Sequence, residues 1–224
     1  MTTIEPKARP MIFTTESIRA YQQGLKWMTR RIMDTQPVAK FGGVHGVFDG
    51  YYSLLDKTDA DINHFPNPTP YQTIKCRYGK PGDLIWFRET WAMIPDDGGT
   101  LIYRADDPED NWMQESGVTW KSPMFMPRRA SRYTVPIVSI RAERLWDIRP
   151  GDALAEGCGK RECVCCNGTG DYDGAACLEC SGDGVITERG SFRARWDSIN
   201  GKRASWASNP WVWVIEFERL HLGG

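Results

Sequence analysis

The chain has 224 residues, 41% of them hydrophobic and 12% aromatic, with a formal net charge of -1. That composition excludes global disorder and leaves room for one domain with an insert or for two small domains. The charge excludes a uniformly basic surface, so nucleic-acid binding would need a local basic patch.

In chain order, "RPMIF" (residues 9–13) reads as a short buried strand. Thr14 or Thr15 then caps a helix carrying Ile18, Tyr21 and Leu25 at helical spacing, which Gly24 stops. Residues 26–33 look extended. Residues 34–81 are rich in Gly, Pro, Asn and Asp and read as a long surface excursion with short strands at most. "LIWFRETWA" (84–92) and "TLIYRAD" (100–106) are strand candidates. So is the long segment 131–148, in which Pro136 marks an edge or a bulge. "GDALAEG" is a short helix, Ser191 caps another with Phe192, Trp196 and Ile199 on one face, and "WVWVIEF" (211–217) has the composition of a central strand. Non-adjacent strands with few helices predict an α+β barrel rather than a doubly wound sheet.

Between the last two helices, "CVCCNGTG" and "CLECSGDG" repeat one pattern, C-x-x-C-x-G-x-G. Two residues between thiolates let one tight turn offer both sulfurs to a metal, and the glycines relieve the turn that follows. Cys163, Cys166, Cys177 and Cys180 are therefore expected to close a tetrahedral site around one structural Zn2+ per chain. Cys165 lies between two ligands, and Cys76 and Cys158 read as ordinary free thiols. The insert, residues 158–189, resembles the cysteine-rich zinc repeat of DnaJ-type chaperones, reduced to two of its units. Its own core is too small to fold without metal.

No apolar run approaches a membrane span, and "MTTIEPKARPMIF" lacks the order of a signal peptide, so a cytoplasmic protein without membrane contact is expected. "MPRRASR" gathers Arg128, Arg129, Ser131 and Arg132, which with Lys26, Arg30 and Arg31 would form a patch for phosphate contacts. Trp27, Trp86 and Trp91 are candidates for stacking on a base or for core. Glu89 is free to pair with Arg88 or Arg128, or to read a base edge.

Taken together, "GLKWMTRR", "GDLIWFRETWA", "GDALAEG" and "FRARWDSING…WVWVIEFE" resemble the ASCH domain, a relative of the PUA fold. "MPRRASR" looks like the form carried by phages and prophages. The resemblance covers residues 9–157 and 190–220 apart from the excursion, and implies a small PUA-like β-barrel with flanking helices. It also implies a cleft for nucleic acid, RNA rather than DNA, or for a modified nucleobase, and a host-cytoplasm setting. Some small members of the family are amidohydrolases that deacylate N4-acetylcytidine with a lysine, a threonine and a glutamate. By motif those roles fall on Lys26, Thr29 and Glu156. A threonine nucleophile needs a base, and a desolvated lysine supplies one. Lys26 and Thr29 are three apart, so they converge only if Lys26 sits in the turn before the strand. A third reading is an adaptor that binds a host protein through its zinc knuckles.

Overall fold

In the computed structural model of the chain, the described residues are 5–36, 47–48, 51–54, 72–94, 99–107, 109 and 119–219. Strand β1 (Ala8–Ile12) leads into helix α1 (Thr15–Gln22). Thr14, in extended conformation, caps α1 by accepting from the Ser17 N–H at 3.2 Å. This satisfies one of the helix's orphan donors. Gly24 follows the C-cap, Leu25 is solvent-facing, and the chain turns into β2 (Met28–Ile32). Three short strands come next, β3 (Val47–Phe48), β4 (Tyr51–Leu54) and β5 (Gln72–Lys75), paired with one another in a small antiparallel sheet. The excursion expected at 34–81 lies mostly outside the described residues.

"LIWFRETWA" is not one strand. It divides into β6 (Leu84–Arg88) and β7 (Trp91–Ile94), because β7 leaves the main sheet to pair with β8 (Thr100–Tyr103). The break falls at Glu89, which is buried and held by Arg132. Strand β9 (Thr134–Arg144) is central. Pro136 sits opposite Leu84, and two residues on Val138 is skipped in the pairing with the last strand, so a bulge and not an edge accommodates the region. Helix α2 (Pro150–Ala155) and helix α3 (Glu188–Asn200) flank the cysteine module. The cap of α3 is Thr187, which accepts from the Gly190 N–H at 3.1 Å, and Ser191 lies inside the helix. Phe192 and Trp196 of α3 are buried and Ile199 is exposed.

Within the module, β10 (Arg161–Glu162) pairs with β13 (Val185–Ile186), and β11 (Asp171–Tyr172) with β12 (Ala175–Ala176). The chain then completes the main sheet with β14 (Trp211–Phe217). The order is β1-β6-β9-β14-β2, with β1 and β6 parallel and the rest antiparallel. This is a mixed α/β fold with a mostly open sheet. Its edge strands β1 and β2 do not pair through their backbones; Arg31 Nη2 donates to Ile12 O at 2.6 Å and ties the two edges by a side chain.

Strand β14 shows why the sheet is covered on both faces. Trp213, Ile215 and Phe217 join α1, β1 and β6 in one core, while Val212 and Val214 join α2 and α3 in another. Every second side chain points to the same face, and both faces are apolar, the pattern of a strand buried on both sides. Each such side chain stabilises the fold by about 1.5–3 kcal/mol relative to exposure.

Candidate functional site: a lysine–glutamate cavity and a four-cysteine centre

Two elements meet where β2 begins. Trp27 N–H donates to Ala155 O at 2.9 Å, and Lys26 forms an isolated antiparallel bridge with Glu156 at the end of α2. Gly157 permits this approach: a Cβ there would lie 2.6 Å from the Ala20 methyl of α1, and its φ is +78°. Lys26 therefore precedes the strand, and Thr29 is already on it, opposite Ile215. Lys26, Thr29, Glu156 and Arg31 all line one cavity of about 210 Å³, whose other walls include Phe13, Arg30 and Phe192.

Lys26 and Glu156 are only 2% and 5% exposed. Lys26 Nζ donates to Glu156 Oε2 at 2.8 Å, to Glu156 O at 3.0 Å and to Met28 O at 2.8 Å. Burial pulls the Lys26 amine below its ordinary pKa, and the neighbouring Glu156 carboxylate opposes that pull. Glu156 Oε1 has no hydrogen-bond partner among the described residues; Arg30 Nη1 stands 3.5 Å from it. A proton on Lys26 thus has one titratable acceptor in direct contact.

Arg30, expected in a basic patch for phosphate contacts, is instead buried beside this pair, its charge met by carboxylates. Its guanidinium meets Glu143 Oε1 at 2.5 Å and Asp152 Oδ2 at 2.8 Å, and lies over the Phe192 ring. It shares a sheet face with Met28 and Ile32, an inward position of an alternating strand. Arg195 of α3 was missed by sequence reasoning. It donates to Glu156 O and Gly157 O, each at 3.2 Å, and pins the turn that carries Glu156. Arg31 reaches past the Phe13 ring at 5.2 Å, and burial draws its guanidinium below the usual value.

The remaining predicted ligand-binding residues do not line this cavity. Trp27 packs against the α2–α3 core with Arg219 over its ring at 4.5 Å. Trp86 and Trp91 are buried; Arg88 lies over the first and Lys121 over the second. Arg132 grips Glu89 with two parallel bonds, Nε to Oε1 at 3.0 Å and Nη2 to Oε2 at 2.9 Å, and also meets Asp106 at 2.5 Å. Burial raises the Glu89 carboxyl despite that partner. Ser131 Oγ donates to Phe87 O at 2.8 Å, so "ASR" ties the loop to the end of β6. Arg128 and Arg129 are exposed in the turn before it.

The cysteine module is a second centre with its own internal symmetry. Cys163 N–H donates to Gly184 O, and Cys177 N–H to Gly170 O, both at 2.9 Å. Gly170 N–H points at Cys166 Sγ at 3.3 Å and Gly184 N–H at Cys180 Sγ at 3.2 Å. A Cβ on Gly170 would stand 2.1 Å from Gly182 O, and one on Gly184 2.1 Å from Gly168 O. The repeated glycines are therefore where the two knuckles press backbone on backbone.

All four sulfurs of Cys163, Cys166, Cys177 and Cys180 are buried and lie within 4.8 Å of one another. The Cys163–Cys177 and Cys166–Cys180 separations are 3.8 and 3.7 Å. A regular tetrahedron with metal–sulfur bonds of about 2.3 Å has sulfur–sulfur edges of about 3.8 Å. The four can hold a metal ion, and the donor set and spacing are compatible with zinc. Cys165 is exposed beside them, whereas Cys76 and Cys158 are buried elsewhere with thiols pushed up by burial.

No described helix is long and apolar enough to cross a membrane. The chain matches no protein-family model, no curated protein and no solved structure.

Proposed function

We propose that the cavity binds a modified nucleobase and hydrolyses an amide on it, with Lys26, Thr29 and Glu156 as the catalytic group. The observation that carries this is the lining of one cavity by Lys26, Thr29 and Glu156, with Nζ 2.8 Å from Oε2. The resemblance to ASCH proteins supplies the class of ligand, and with it the reading of the sheet as PUA-like.

The chemistry follows from the residues. Transfer of a proton from Lys26 to Glu156 leaves a neutral amine and a carboxylic acid. Thr29 Oγ adds to the acyl carbon while its proton passes to Lys26 Nζ. The C–N bond then breaks, and the leaving amine takes its proton from Glu156. Water cleaves the Thr29 ester, so one water is consumed and a carboxylic acid and a free base amine are released. The four thiolates take no part: with four protein ligands a metal there has no open position, and we assign the module one structural zinc.

A second reading is binding of the base, in RNA or alone, without turnover. It is favoured by the three acceptors around Lys26 Nζ, which match the three donors of an ammonium and would hold it charged. The two separate on incubation with N4-acetylcytidine and chromatography of the products. The hydrolytic reading expects cytidine and acetate, with turnover falling by roughly a hundredfold or more in Thr29→Ala and in Lys26→Ala. Saturable binding with no product establishes binding alone, and turnover undiminished in both variants removes these residues from catalysis.

A further inference from the structure

The cavity is strongly cationic although the whole chain carries a formal charge of -1. Among its described lining residues, Lys26 is matched by Glu156, and Arg30 by Glu143 and Asp152. Arg31 and Arg195 donate to backbone carbonyls, and no carboxylate among the described residues forms an ion pair with either.

At the exposed end of the cavity, Arg77 Nη1 and Arg203 Nη2 both converge on a single atom, Asp34 Oδ1, each at 3.4 Å. Two guanidinium groups share one carboxylate there, leaving a surplus positive charge. All three side chains are more than half exposed, at 62%, 65% and 53%, so these long pairs are screened and weak. Asp34 and Arg203 also line a second cavity of about 330 Å³, which runs on past Ile32 and Met33 to Arg144.

We propose that Arg77 and Arg203, gathered on Asp34 at the mouth of the cavity, form a phosphate-binding site, so that the ligand is a nucleotide, free or within RNA, rather than a neutral nucleoside. This rests on the base-binding reading of the cavity. A phosphate presents more charge and more acceptor oxygens than a carboxylate, and each arginine offers a planar fork of donors to it. It therefore displaces Asp34 from both arginines at once. Lys26 and Glu156 lie at the buried end of the same cavity, so a ligand held at the mouth by its phosphate extends its base towards them. The second cavity offers room for a chain that continues beyond that phosphate.

The test compares binding of cytidine, cytidine 5′-monophosphate, a short single-stranded RNA and inorganic phosphate by calorimetric titration at low salt. The phosphate-bearing ligands are expected to bind roughly tenfold or more tighter than cytidine. That ratio should collapse towards one in the doubly substituted Arg77→Ala, Arg203→Ala protein, whose changes fall on exposed side chains. It should widen in Asp34→Asn, which removes the competing carboxylate. An advantage confined to the monophosphate makes the natural ligand a free nucleotide, and one confined to the RNA makes it a diester. Equal binding of cytidine and its phosphorylated forms, or an advantage that survives the double substitution, overturns the proposal. So does a lack of binding by every probe. Inorganic phosphate keeps the test independent of the base: saturable binding lost in the double variant supports the site even where cytidine does not bind. Acetylated ligands that bind with the expected ratio but are never cut refute only the hydrolysis.

Discussion

Lys26 and Glu156 are 130 residues apart in the chain, yet their side chains meet at 2.8 Å with almost no solvent at either end. A contact of this kind is conditional. Each charge leans on the other, and removing one leaves its partner in a poorly solvated place, Glu156 with only the longer contact to Arg30.

Lys26→Met is accordingly expected to destabilise the fold by about 3–5 kcal/mol or somewhat less, because Glu156 is left buried with only the 3.5 Å contact to Arg30. Lys26→Met combined with Glu156→Gln should cost less than the sum of the single changes, since the double variant buries no lone charge. Urea denaturation of the four proteins in the cycle gives the coupling. Additive costs would show that the two groups do not stabilise one another.

Metal removal should act on the module and spare the sheet, because the core of the cysteine cluster is little more than its four sulfurs and a partly buried Ile186. The purified protein is expected to hold about one zinc per chain. A strong chelator should speed amide exchange across residues 158–189 while that of β9 and β14 stays slow. Gly170→Ala should weaken metal retention as a ligand substitution would, since its Cβ meets Gly182 O at 2.1 Å. Gly174→Ala is the control: it has a similar φ, +79°, but open space around it, so only local strain of about 1 kcal/mol is expected.

Asp83 predicts the acid limb of stability. Burial alone would raise its pKa, but the backbone N–H groups of Lys7 and Lys80 and the Arg9 guanidinium outweigh that and hold it below the ordinary value. The native state thus binds fewer protons than the unfolded chain below about pH 4. The contribution is complete above that range and is lost as pH falls through the lowered folded value. Asp83→Asn should lower the melting temperature at neutral pH and flatten its fall below about pH 4. A variant melting curve parallel to wild type across that range would exclude Asp83 from the acid transition.

Much of this architecture is written in local pattern. The β-branched and aromatic run of 211–217 and the duplicated C-x-x-C-x-G-x-G are each dictated by short-range physics, pleat packing in one case and turn geometry in the other. The division between β6 and β7 was not legible, because "LIWFRETWA" favours strand throughout and the break comes from a distant partner, Arg132. The site was half legible. Lys26, Thr29 and Glu156 stand out by motif, whereas Arg77, Arg195 and Arg203 look like any solvated arginine until the fold brings them to one cavity. Arg30 is different, since the basic run around it suggests a surface patch, whereas the fold turns it inward between Met28 and Ile32.

The cysteine module leaves and rejoins the main chain through a narrow neck, where Arg161 pairs with Ile186 and Glu162 with Val185. On one side of that neck is the turn bearing Glu156, and on the other is the helix bearing Arg195, which grips the same turn. The module is thus a clasp on the back wall of the cavity. A tight reverse turn joining the two sides of the neck would be the smallest replacement for it.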